Sequence, residues 1–155
     1  MVERFERFSY AIFAVSRCWH KLAAEEMDAY GLKGPHAIYL FAILRSPEGL
    51  TCAQLCELSG RDKADVSRAI SILEEKGLVQ RQRTGANLYR AQVMLTPQGI
   101  QAAEQICRRA DLAVEYAGIG YSEEQREVFW QVLDTIAANL QAMVKTGIPH
   151  KEDEK

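Results

Sequence analysis

From Phe5 onward the apolar residues Phe5, Phe8, Ile12, Val15, Trp19 and Leu22 step by three and four in alternation. That spacing predicts an α-helix with a narrow, coiled-coil-like apolar seam. Tyr30 and Gly31 end the pattern. Gly34 and Pro35 open a second helix through Ile38, Phe41 and Leu44, since proline suits a first helical turn, where its missing N–H is not needed. Ser46-Pro47-Glu48-Gly49 reads as a turn.

Thr51 can cap a short third helix containing Leu55 and Leu58, closed by Ser59-Gly60. Asp62 supplies an N-cap for a fourth helix from Lys63 to Lys76, with the Asp65 charge placed to suit the helix dipole. Two helices joined by so short a glycine-bearing turn read as a helix-turn-helix. After Gly77, residues 78–83 and 89–95 read as two strands, with turn residues Thr84-Gly85-Ala86-Asn87 between them. Thr96-Pro97 launches a long helix past Ile100, Ala103 and Ile106, and the chain pauses at Gly118-Ile119-Gly120. Ser122 with Glu124 and Gln125 starts a last helix, in which Phe129, Leu133, Ile136, Leu140 and Met143 repeat the alternating spacing.

The expected architecture is mainly α with a small β-wing. A winged helix-turn-helix lobe spans 35–95, and helices within 1–30 and 97–146 form a homodimerisation layer around it. Residues 147–155 are expected to be a flexible tail. The plainer alternative is that the terminal helices pack only on their own domain. A lobe lying between two seam-bearing ends, and the preference of oligomers for two-fold symmetry, favour the dimer.

At 155 residues and 48% hydrophobic content the chain has material for a real core, which excludes disorder of the whole. With 19 Lys and Arg against 21 Asp and Glu, it is not a protein that coats nucleic acid everywhere, so any basic surface must be local. No apolar run is long enough for a membrane span, and charge at Glu3, Arg4, Glu6 and Arg7 follows Met1 instead of a signal-peptide core. The expected compartment is the cytoplasm, with no membrane partner and with Cys18, Cys52, Cys56 and Cys107 as reduced thiols.

Candidate chemistry concentrates on the fourth helix and the two strands after it. At about 100° per residue, Val66, Ala69, Ile70 and Leu73 share one face, while Ala64, Ser67, Arg68 and Ser71 lie roughly opposite. The first face belongs in a core. The second is small and polar with one arginine, and Lys63 lies at the helix start, which suits entry into a major groove. Arg68 can fork to a guanine edge or hold a phosphate, and Ser67 and Ser71 can contact either. An ordinary solvated helix face would carry similar residues. The surroundings tip the balance: segment 61–90 carries seven basic residues, Arg61, Lys63, Arg68, Lys76, Arg81, Arg83 and Arg90, against four acidic ones. Counterion release rewards such a patch even inside an acidic chain. Arg83 and Arg90 flank a turn that can reach a minor groove or its phosphates.

These motifs together resemble the MarR family, the multiple-antibiotic-resistance regulators, from the first helix to about Lys145. The resemblance is carried by Asp62-Lys63-Ala64-Asp65-Val66-Ser67-Arg68-Ala69-Ile70, by Leu73-Glu74-Glu75-Lys76-Gly77-Leu78-Val79, and by Leu95-Thr96-Pro97-Gln98-Gly99. It implies a triangular two-fold dimer whose N- and C-terminal helices interleave, with each lobe on one half of a near-palindromic duplex site. Half-sites would then lie about one helical turn apart. It also implies a cleft between dimer layer and lobe for a small aromatic or phenolic effector. One departure stands out. The family's wing carries an aspartate, any residue, then an arginine, whereas the matching positions here are Asn87, Leu88 and Tyr89, with Arg90 one step later. Because successive strand residues face opposite sides, Arg90 replaces that arginine only with a bulge or local twist.

The DNA-contact set expected from these arguments is Arg61, Lys63, Ala64, Ser67, Arg68, Ser71, Arg81, Arg83, Asn87, Tyr89 and Arg90. Trp19, His36 and Tyr39 are candidates for lining an effector cleft, and equally for core or dimer seam. The expected function is a sequence-specific repressor modulated by a small molecule.

Alternatives are a cysteine-based redox sensor and a winged-helix module for protein contacts. Some relatives sense peroxide through a cysteine near the start of the first helix, but the matching position here is Ser9. Cys52 and Cys56 are four apart with no histidine near them in sequence, short of the four ligands a structural zinc needs. No metal and no cofactor are therefore expected. Without a nucleophile-base pair, phosphate loop or metal motif, an enzyme is not expected either.

Overall fold

The computed structural model describes residues 3–82 and 91–149. They form a mostly helical chain with one small sheet, divided into two compact units, Met1–Leu112 and Ala113–Lys155. The first unit contains helices α1 (Arg4–Asp28), α2 (His36–Leu44), α3 (Cys52–Ser59) and α4 (Lys63–Glu75). Strands β1 (Leu50–Thr51), β2 (Val79–Gln82) and β3 (Gln92–Leu95) and most of α5 (Pro97–Ala117) complete it. The second unit holds the end of α5 and helix α6 (Glu123–Thr146).

The core lies in the first unit. Met27 of α1, Tyr39 and Leu40 of α2, Leu55 of α3, Val66, Ile70 and Leu73 of α4 and Val93 of β3 are its largest fully buried side chains. Burying one such side chain stabilises by about 1.5–3 kcal/mol, so helices α2 to α4, too short to persist alone, are held by this shared core.

The sheet is antiparallel in the order β1-β3-β2. Val79 pairs with Leu95 and Gln82 with Gln92, as a ribbon returning behind α4 requires. The expected turn residues Thr84-Gly85-Ala86-Asn87 lie outside the described residues. Strand β1 is not predicted by the side-chain pattern: Leu50 pairs with Val93 and Thr51 with Gln92, and two residues are too few to show the alternation that marks a strand.

The ribbon is fastened to α5 at its base. Thr96 donates its backbone N–H to the Leu78 carbonyl at 3.0 Å and its hydroxyl to the Gly77 carbonyl at 2.6 Å. The same Thr96 Oγ1 accepts the Gly99 N–H at 3.0 Å, capping the start of α5. Gly99 lies so close that a Cβ there would sit 1.8 Å from the Leu78 oxygen, so only glycine allows this crossing of backbones.

In the second unit, Arg126 donates to the Gly118 carbonyl at 3.1 Å and so braces the turn before α6. Ser122 and Gln125 form a capping box at the helix start. Helix α6 buries none of its residues. Among the described residues no helix is long and apolar enough to cross a membrane.

Candidate nucleic-acid interface

Helices α3 and α4 owe their sharp ends to local chemistry. The Thr51 hydroxyl accepts the Gln54 N–H at 3.3 Å while the Gln54 side chain accepts the Thr51 N–H at 2.9 Å. Gly60 ends α3 in the left-handed region, φ 64°, with its N–H on the Cys56 carbonyl. Asp62 Oδ1 then accepts the Asp65 N–H at 2.8 Å and starts α4. The turn between the two helices is therefore only three residues long, Gly60, Arg61 and Asp62, and leaves α4 little freedom to swing.

Seated on Val66, Ala69, Ile70 and Leu73, α4 turns Lys63, Ala64, Ser67 and Arg68 outward as exposed residues, with Ser71 half-buried beside them. This face is short-chained and polar around Arg68, so the helix can approach a surface closely. The Arg68 guanidinium donates from Nη2 to Asp65 Oδ1, one helical turn earlier, a pairing the i,i+3 spacing makes accessible. Asp65 thus holds the one arginine of this face, beyond its favourable place near the helix dipole.

Arg61 is exposed in the turn. Arg81 lies on β2 two residues after buried Val79, hence on the same strand face. It pairs with Glu74 of α4 at 3.3 Å, an ion pair that ties the wing's first strand to the helix. Arg83, Asn87, Tyr89 and Arg90 lie outside the described residues.

The three effector candidates are placed differently from one another. Trp19 is 42% exposed on α1, whereas Tyr39 is 2% exposed within the core. The Tyr39 hydroxyl is buried with no hydrogen-bond partner among the described residues. His36 is buried at the start of α2, where Nδ1 accepts the Lys33 N–H at 2.9 Å. Burial, and then the Lys33 charge, push the His36 pKa below its ordinary value.

Among the cysteines, Cys18 is exposed, while Cys52 and Cys56 are half-buried against the core. Burial, seconded by the Asp111 carboxylate, pushes the Cys107 thiol up, which disfavours the reactive thiolate.

A core-seated helix-turn-helix followed by an antiparallel ribbon defines a winged helix-turn-helix protein. Residues 30–87 match the sequence model of the MarR family. The fold of the described residues is likewise similar to that of solved MarR-family structures. The structure of a MarR-family transcriptional regulator from Listeria monocytogenes, in complex with 26-mer DNA, superposes with a TM-score of 0.78 at 23% identity, covering 92% of this chain and 96% of that one. A MarR transcriptional regulator from Methanosarcina mazei gives 0.79 at 22% identity, with 89% and 99% covered. MepR, a transcription regulator of the Staphylococcus aureus multidrug efflux pump MepA, gives 0.67 at 22%, with 86% and 98% covered. No curated protein sequence matches the chain.

Proposed function

We propose that this protein is a cytoplasmic transcription regulator that binds double-stranded DNA sequence-specifically as a homodimer. The observation that carries the reading is α4: a capped helix whose apolar face is locked in the core and whose outward face is small, polar and headed by Arg68. Such a helix fits a major groove about 12 Å wide. Arg61 and Lys63, just before and at the helix start, would then meet the phosphates that flank that groove. The similarity in fold to a relative bound to 26-mer DNA supports the same use here.

Two copies related by a two-fold axis would read a near-palindromic operator, with half-sites about one helical turn apart. The finer reading is a repressor: the bound dimer blocks transcription, and a small aromatic effector shifts the population toward a form whose lobes no longer match the half-site spacing.

Selection from a random duplex pool at two salt concentrations tests the core of this proposal. A near-palindromic consensus whose recovery falls at higher salt is expected, because phosphate neutralisation makes binding salt-dependent. Recovery of no consensus at either concentration would refute it and favour a winged helix that contacts proteins.

A further inference from the structure

The outward face of α4 carries one arginine, and that arginine is already held. Arg68 and Asp65 are both open to solvent, their side chains 68% and 40% exposed, yet they pair with each other. An exposed pair of this kind contributes little to stability, so its consequence is orientation. A free arginine on a helix samples many rotamers and loses that freedom when it binds. Here one end of the guanidinium is anchored, and the anchor is itself fixed, because the Asp65 backbone N–H is bound by Asp62 at 2.8 Å. Asp65 takes one of the five guanidinium N–H groups, and the remaining donors stay available.

We propose that Asp65 is a specificity-determining positioning residue: it holds Arg68 across the outward face of α4, so that the guanidinium donates to the O6 and N7 of a guanine in the major groove instead of to a phosphate. The inference rests on the DNA-binding reading above. Asp65 acts in two ways. It pre-orients Arg68, which lowers the entropy cost of the guanine contact. It also sets a negative charge on a surface that approaches phosphates, which penalises any register in which Arg68 finds no base partner. Without Asp65, Arg68 would relax onto the backbone, and affinity would become less dependent on sequence.

The test uses the site selected by the wild-type protein, duplexes in which each G·C pair of that site is changed singly, and a mixed-sequence duplex. Wild-type protein, Asp65→Asn, Arg68→Ala and the double variant are titrated against each. Asp65→Asn preserves shape and leaves the Asp62 cap in place, and Asp65→Ala provides a second removal of the carboxylate. The wild type is expected to discriminate at one G·C pair by roughly 5- to 150-fold, the range of a bidentate contact. Asp65→Asn should lose most of that preference while binding the mixed-sequence duplex at least as tightly. In the Arg68→Ala background, the Asp65 change should then alter nothing at that position. Full discrimination retained at every position by both Asp65 variants, or an equal loss on all duplexes, overturns the role of Asp65 alone. A wild-type protein that prefers no sequence overturns the DNA-binding reading as well.

Discussion

His36 shows how a single side chain can make the lobe sensitive to pH. Its Nδ1 accepts the Lys33 N–H across the turn that leads into α2, so the neutral imidazole is the form that fits; a proton on Nδ1 would set two donors against each other. The folded pKa lies below the ordinary 6.5 because of burial and the Lys33 charge. The unfolded chain therefore takes its proton first as pH falls. Stability from this group is complete above the ordinary value and declines as pH drops below it. Urea midpoints measured between about pH 7 and pH 5 should fall for the wild type, with a smaller fall for His36→Gln, which keeps an acceptor but does not titrate. Identical slopes in the two proteins would exclude His36 as a source of the acid sensitivity. None of this was legible from one histidine in a sequence: an aromatic ring near a turn suits a cleft, a seam or a core, and only the fold shows His36 buried at the start of α2. The caps were legible, because Thr51, Asp62 and Ser122 act on N–H groups only three residues away.

At the scale of elements, α4 depends on its start. Asp62 serves the fold by accepting the Asp65 N–H, and it serves the site by fixing the turn of helix that carries Lys63, Ala64 and Ser67. Asp62→Ala should cost about 1 kcal/mol, a fall of roughly 2–4 °C in Tm for a chain of this size, while Asp62→Ser should retain most of the stability. Thermal unfolding followed by circular dichroism reads the difference, and equal losses in both variants would show that the cap is not what Asp62 contributes. Helices α3 and α4 could be read in advance because apolar spacing and capping residues agreed on them. Strand β1 could not, since its existence depends on Val93 and Gln92 arriving from more than 40 residues away. Arg81 shows the same limit: its charge is visible in the sequence, whereas its pairing with Glu74 of α4 comes only from the fold.

For the whole molecule, apolar side chains stand uncovered along α1 and α6 among the described residues. Phe5, Phe8, Ile12, Val15, Trp19 and Leu22 are all exposed on α1, as are Phe129 and Leu140 on α6. Helices in proteins draw most of their stability from packing an apolar face, and contiguous exposed apolar residues are what an interaction site carries. We propose that a second copy of the chain covers both seams. The two tryptophans, Trp19 and Trp130, lie one on each of these helices and are 42% and 45% exposed, so dimerisation should be visible in their emission. Diluting the wild type should shift the fluorescence to longer wavelength along the same curve on which sedimentation shows dimer giving way to monomer. Val15→Glu or Phe129→Glu would place a charge in the interface, and two-fold symmetry makes every substitution count twice. At about 2 kcal/mol for each lost apolar side chain, the dissociation constant should rise on the order of a thousandfold. DNA binding should weaken with it, because one lobe reads only one half-site. A wild-type chain that sediments as a monomer at every concentration, with emission unchanged by dilution, would show that the seams are covered in some other way and would remove the symmetric operator from the proposed mechanism.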